Sequence, residues 1–491
     1  MENTLKPETT PVIKILKNAN IRTVMITGDN VLTAVSVART CEIINPWSHA
    51  VLMKVDNTGS EHAIPLVSYE LLEDMKTRDS KEEFVGIPMD LEMQQDSNGK
   101  KVVKSEMKKR DVQLVIDGPT FKVVRAHYPE LVPKLMVKGA VFARMSPDQK
   151  AEVVVDLQKI GYGVCMCGDG ANDCGALKAA HAGISLSEAE ASVASPFTSK
   201  VPNISCVVKL LREGRASIST SFMTFHYMAV YSIAEFTTVA MLYYFYSGLS
   251  QNEYLWIDLF IILPLSYLMG INGPYHELVK RRPPGRLAGP DGIIAMAVRI
   301  LGIVLFQIGG FLYLTSREWY VPVSFAEQEY NEYYVQNSQA NTVLFYLSSS
   351  QVLAMAINLA VGPPYRSRLY HNIPMMACLA ILVPCNIYII LAPYNWYQTL
   401  WDVVLEVRPI DSMLFRVGIL LIVAVYFFLF YLLEGFVFNS KWFHNVVKVL
   451  RCKRQPNNPY KKILAELGPM WPLEGEQLAP VTVPVVKETN I

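Results

Sequence analysis

Residues 162–173 read Tyr-Gly-Val-Cys-Met-Cys-Gly-Asp-Gly-Ala-Asn-Asp. Tyr162 to Cys167 have the apolar, β-favouring character of a buried strand, and a helical stretch follows through Ala180. Gly168 and Gly170 let the backbone between them turn tightly and approach a ligand. Asp169 and Asp173 stand four residues apart across that turn, where one carboxylate can reach a Mg2+ and the other can brace the loop. A structural Gly-Asp loop is the plain alternative, so the weight of the reading falls on what lies around the segment.

Upstream, Ile21 to Ile26 (Ile-Arg-Thr-Val-Met-Ile) repeat the pattern of a buried strand. They run into Thr27-Gly28-Asp29-Asn30, and Val31 to Cys41 follow as a helix. A hydroxyl and backbone amides at a helix start make a phosphate cradle, although an Asp-capped helix explains the same four residues. Between the two units lies Arg144-Met145-Ser146-Pro147-Asp148-Gln149-Lys150. Ser146-Pro147 is a helix start with proline in the first turn, and it points Lys150 towards the strand ends. Strands alternating with helices over residues 1–213 predict an α/β domain. Residues 45–139 are the least regular part. Their charged runs, Lys76 to Glu83 and Lys100 to Arg110, read as solvated loops or helix faces, and the stretch is taken as an insertion. Within it, Val112 to Ile116 reads as a strand.

Composition changes after residue 213. The 491-residue chain is 51% hydrophobic and 18% charged with a net charge of +1, which points to a membrane component and away from nucleic acid as a partner. Six apolar runs, 218–246, 254–271, 292–315, 341–361, 373–392 and 414–436, predict an all-α membrane domain over 214–438. Pro264 and Pro384 are tolerated there because neighbouring helices satisfy the freed carbonyls. Lys280, Arg281, Arg282, Arg286, Arg366, Arg368 and the basic, Pro-containing tail 439–491 fall on one side of six alternating helices. Glu318, Glu327, Glu329 and Glu332 fall on the other, against the single Arg317. This places the α/β domain and the tail in the cytosol. The 8 cysteines lack zinc-ligand spacing and read as reduced or buried thiols.

Thr27-Gly28-Asp29, Pro147-x-x-Lys150 and Gly168-Asp169-Gly-x-Asn172-Asp173, in this order and followed by membrane helices, resemble the later motifs of the P-type ATPases. These pumps belong to the wider haloacid-dehalogenase-like phosphotransferases. The stretches 169–178, 182–192 and 194–198, with Glu2 to Pro7, are similar to the P5B subfamily, which is implicated in polyamine transport. The resemblance implies a Rossmann-like, haloacid-dehalogenase-like phosphorylation domain that uses Mg2+ and ATP. Thr27, Gly28 and Asp29 would line the phosphate site, Lys150 would contact the phosphoryl group, Asp169 would bind Mg2+ with Asp173 beside it, and Asn172 and Asp173 would hold phosphate and loop. The family's nucleophilic aspartate lies in an Asp-Lys-Thr-Gly sequence that occurs nowhere in this chain. The expectation is therefore a fragment, an incomplete gene model or a short isoform, inactive alone and needing the upstream part of the same pump. The expected location is an endomembrane (endosome, lysosome or endoplasmic reticulum) or the plasma membrane.

Ionisable groups inside membrane helices are costly and usually face a pathway. Glu235 and Asp258 lie in the first two runs, each with a tyrosine one turn earlier, Tyr231 and Tyr254. Glu253 and Trp256 stand near the second helix's entrance. Carboxylates and ring faces strung along a path suit the spaced ammonium groups of a polyamine, whereas Ca2+ wants six to eight converging oxygens. Arg299, Gln307 and Glu434 read as helix-packing or interfacial groups. Three alternatives stay open: a pump for an inorganic cation such as Ca2+, a non-catalytic isoform that regulates full-length pumps, and a membrane-anchored phosphatase. The last would need its own nucleophilic Asp ahead of Thr27, and no Asp occurs there.

Overall fold

The α/β part begins with α1 (Thr9–Asn18), β1 (Met25–Ile26), α2 (Val31–Thr40), β2 (His49–Asp56) and β3 (Leu66–Leu71). It continues through β4 (Val112–Asp117), α3 (Gly118–His127), α4 (Leu131–Lys138), β5 (Gly139–Ala143) and α5 (Pro147–Lys159). It closes with β6 (Cys165–Gly168), a 3-10 turn at Ala171–Asp173, α6 (Cys174–Ala179), β7 (Ala182–Ser185) and β8 (Phe197–Thr198). The computed structural model describes residues 5–56, 65–72, 111–169, 171–187, 193, 195–287, 289–322, 338–360, 362–391, 410, 412–438, 440–450, 458–468 and 471–472.

Five strands form one sheet in the order β1-β5-β4-β2-β3, parallel except for β2 with β3. A second sheet, β6-β7-β8, is parallel throughout. Alternation along the central strands fills two apolar layers. Val51, Met53, Leu114, Ile116 and Phe142 face α3, α4 and α5, while Ala50, Leu52, Val115, Val141 and Ala143 face α1 and α2. That is the period of two expected of strands buried on both faces. The range 45–139, read as an insertion, therefore needs correction: β2 and β4 within it are interior strands of the main sheet. The charged runs 76–83 and 100–110 lie outside the described residues.

The carboxyl-terminal tail returns to this unit, which comprises residues 1–209 and 455–491. Helix Pro459–Leu467 lays Tyr460, Ile463 and Leu467 on the layer formed by α4 and α5. Tyr460 stacks on Tyr162 with ring centroids 4.2 Å apart, and its amide donates to the Ile160 carbonyl at 3.1 Å. Trp471, 7% exposed, packs edge-on against Tyr69. Part of the segment 439–491 is thus core rather than tail. Trp471→Ala is expected to cost about 3 kcal/mol, a fall of roughly 6–12 °C in the melting temperature of this unit. Calorimetry of the whole chain checks this.

Residues 210–454 form the second unit. Its helices are α7 (Ser205–Tyr244), α8 (Gln251–Gly270), α9 (Pro290–Thr315), α10 (Gln339–Leu359), α11 (Ile373–Leu391), α12 (Met413–Phe438) and α13 (Lys441–Leu450). Among the described residues, α8 to α12 are five helices long and apolar enough to cross a membrane. The first predicted run, 218–246, lies in α7, which is long enough, but tyrosines, threonines and Glu235 dilute its apolar character. The 20-residue α8 contains a π-helical segment at Trp256–Ile262, just before Pro264. Such segments appear where the regular ladder is interrupted, often at functional sites. Arg299 and Glu434, read as weak candidates, form a buried pair, Nε to Oε1 at 2.6 Å, with Arg299 5.3 Å from the Phe438 ring centroid. Gln307 donates to Gln351 Oε1 at 3.1 Å. These groups tie helices together.

Candidate functional site

The α/β unit gathers three chain segments by a continuous set of bonds. Thr27 Oγ1 donates to Asp29 Oδ2 at 2.8 Å, so the turn after β1 holds itself. Asn30 caps α2 through the Leu32 amide. The Arg144 amide donates to the Asp29 carbonyl, and the Met145 amide to the Thr27 carbonyl, each at 3.0 Å. This fixes the chain just before α5. Ser146 and Gln149 then form a reciprocal capping box, with Pro147 in the first turn. Gln149 Nε2 also donates to the Gly118 carbonyl at 2.8 Å, which anchors the helix start to the neighbouring strand end. From this fixed start Lys150 reaches Asp173, Nζ to Oδ1 at 2.7 Å, with both side chains 12% exposed.

Asp173 also explains Gly168. A Cβ at that position would overlap the Asp173 carboxylate, so the turn needs glycine there. A Cβ at Gly28 meets nothing within 4 Å, so that turn lies open to a ligand. Asp169 and Asn172 are exposed at the end of β6, while Gly170 lies outside the described residues. Burial pushes the flanking thiols up, Cys165 to about 11 and Cys167 to about 12, so both are neutral thiols at physiological pH. They add no negative charge beside a phosphate.

The donor set fits a Mg2+ bound together with a phosphorylated partner. Mg2+ keeps waters and takes one or two carboxylates with phosphate oxygens. The exposed Asp169 carboxylate can supply one such ligand, while Asp173 is engaged by Lys150. Among the described residues, no three or more His, Cys, Asp or Glu side chains converge as a cage of their own.

In the helical unit Tyr231 keeps its expected same-helix neighbour Glu235 and also reaches across to the second helix. Tyr231 on α7 donates its hydroxyl across to Asp258 on α8, and Glu235 lies beside the same hydroxyl. Asp258 is exposed and Glu235 half-buried. Trp256 lies 5.5 Å from Phe260, ring to ring, and Tyr254 is partly buried. Glu253 is placed elsewhere in its chemistry. It is 0% exposed, accepts from the Ser250 amide at 2.7 Å as the capping-box residue of α8, and accepts from Asn341 Nδ2 at 2.8 Å. Those contacts start the helix and join it to α10. Of the predicted cargo residues, the structure therefore brings Tyr231, Glu235 and Asp258 together and turns Glu253 to the interior.

No family model matches the chain. It is 38% identical over 478 residues to Polyamine-transporting ATPase 13A2 of Homo sapiens, covering 96% of this chain and 38% of that protein. It is 37% identical over 495 residues to Polyamine-transporting ATPase 13A3 of Macaca fascicularis, covering 96% and 39%. It is 34% identical over 498 residues to Probable cation-transporting ATPase 13A4 of Homo sapiens, covering 96% and 40%. The chain thus spans about two fifths of the length of these curated relatives.

Proposed function

This chain belongs to the P-type ATPases, on their P5B branch, and on that footing we propose that it is the carboxyl-terminal part of an ATP-driven polyamine pump. Residues 1–209 contribute part of a haloacid-dehalogenase-like phosphorylation domain that faces the cytosol. The helices after it contribute part of the path that carries the amine from the lumen or the outside. The phosphorylated aspartate comes from the upstream part of the pump.

One observation carries this reading. β1 ends one sheet and β6 ends the other, and their carboxyl ends hold Thr27 to Asp29 and Asp169 to Asp173. An edge strand presents a row of unpaired N–H and C=O groups, a template for a further strand. Two parallel edges with phosphate-binding ends, linked through α5 and Lys150, suit a strand entering between them. Such a strand would bring the nucleophile to the cradle.

In this arrangement Thr27 and the amides after β1 bind and orient the phosphoryl oxygens. Lys150 balances their charge while it holds Asp173, and Asn172 steadies the loop. Asp169 would hold Mg2+, which neutralises phosphate charge when bound. Alone, the chain incubated with labelled ATP and Mg2+ is expected to form no acid-stable acyl-phosphate. Joined to an upstream segment that carries Asp-Lys-Thr-Gly, it is expected to form one. A hydroxylamine-labile label on the isolated chain would contradict the assignment.

A further inference from the structure

Arg366 is 1% exposed and heads the largest fully buried side chains. Among the described residues its only hydrogen bonds are to neutral groups. Nη1 donates to Met223 Sδ on α7 at 2.7 Å, Nη2 donates to the Met269 carbonyl on α8, and Nε has no partner. Burial lowers the guanidinium to about 10, so it remains charged at neutral pH. A buried charge with no carboxylate opposite is costly to keep. What faces it is the carboxyl end of α8, whose last carbonyls carry the helix's negative pole.

The surrounding loop repeats this arrangement. Asn372 Nδ2 donates to the Leu268 carbonyl at 2.8 Å, which also accepts the Ile271 amide at 3.2 Å. The Ser367 amide donates to the Gly273 carbonyl at 2.9 Å, and Asn272 Nδ2 to the Ser367 carbonyl at 2.8 Å. The Tyr275 amide donates to the Tyr365 carbonyl at 3.0 Å. One loop therefore caps α8 and, through Arg366, also touches α7. The same two helices carry Tyr231 and Asp258, about 12 Å along α7 from Met223 and about 16 Å along α8 from Met269.

We propose that Arg366 is a positioning residue for the cargo site: by joining the ends of α7 and α8 it sets their relative rotation, and so the approach of Tyr231 and Glu235 to Asp258. This rests on reading those three residues as the cargo site. The interaction depends on the planar fork, one nitrogen for each helix, which a lysine cannot reproduce.

The test uses the complete pump. Arg366→Met is expected to raise the spermine concentration for half-maximal ATP hydrolysis about tenfold, with the maximal rate within about twofold, as for other residues that orient a site from behind. Arg366→Lys is expected to fall between the two. Spin labels at Ser232 and Leu259 report the helices directly, and their distance distribution should shift or broaden in Arg366→Met. Folded Arg366→Met with unchanged half-saturation and unchanged distances overturns the proposal. So do changed distances with an unchanged spermine response. Changed distances in a pump that no variant, wild type included, lets spermine stimulate would sink the cargo reading and leave the clamp standing. If Arg366→Met does not fold, Arg366→Lys and Asn272→Ala are read in the same two assays, and no change in either overturns the proposal.

Discussion

Lys150→Met in the complete pump should lower the rate of phosphoenzyme formation from ATP by about a hundredfold to a thousandfold, the usual loss when one preorganised charge-stabilising group is removed. The effect has two sources. Lys150 is the cation at the carboxyl ends of β1 and β6 that the capping box of α5 holds in place. It is also the partner of Asp173 at 2.7 Å in a site where both side chains are largely shielded. Without it, the Asp173 carboxylate faces incoming phosphate with no balancing charge. Lys150→Arg should recover part of the rate, because charge returns without the same reach. The stability of the α/β unit should change far less than the rate, since the apolar layers do not involve Lys150. Rapid-quench phosphorylation, read beside a melting curve, separates the two. A rate within threefold of wild type would remove Lys150 from the phosphate site.

Asp258→Asn carries the second large effect. Its carboxylate accepts from Tyr231 across the α7–α8 contact, and Glu235 lies beside the same hydroxyl. An ammonium entering there would meet two acids, Asp258 exposed and Glu235 half-buried, and the hydroxyl between them. Removing one carboxylate that would bond the ammonium costs about 1.5–3 kcal/mol, a weakening of roughly tenfold to a hundredfold in half-saturating spermine. Glu235→Gln should weaken it less, because Asp258 keeps its bond to Tyr231. Glu253→Gln should act differently, through the capping of α8 and the bond to Asn341, and so appear as lower folded yield. Phosphorylation from ATP should survive Asp258→Asn, since that chemistry belongs to the other unit. The assay is spermine-stimulated ATP hydrolysis across a concentration series. An unchanged midpoint would remove Asp258 from the cargo site.

Much of the local structure around Lys150 and Asp169 was legible because its signals are local. The Ser146-Pro147-x-Gln149 spacing is a helix start whatever surrounds it, and the observed cap is that start. The strand-turn-helix pattern at Cys165 to Ala179 likewise needs only neighbouring residues. Long-range pairing was not legible. Arg299 and Glu434 lie 135 residues apart, and whether Tyr231 faces Glu235 or Asp258 depends on the rotation of α7 against α8. Other features are also written in the local spacing. Ser250-x-x-Glu253 is a capping-box spacing, which accounts for Glu253 without cargo. Tyr460, Ile463 and Leu467 recur at helical spacing, the mark of a packed face within a segment taken as tail. The interior strands β2 and β4 were hidden by the charged runs between them, which drew the whole range into one insertion.

In the complete pump, phosphate chemistry at Lys150 and Asp169 is expected to drive amine movement past Asp258. Decay of the phosphoenzyme tests it most directly. With the complete pump labelled from ATP and chased with unlabelled ATP, spermine should speed the loss of label, and Ca2+ should not. Loss of label that Ca2+ speeds and spermine leaves unchanged would make an inorganic cation, not a polyamine, the cargo.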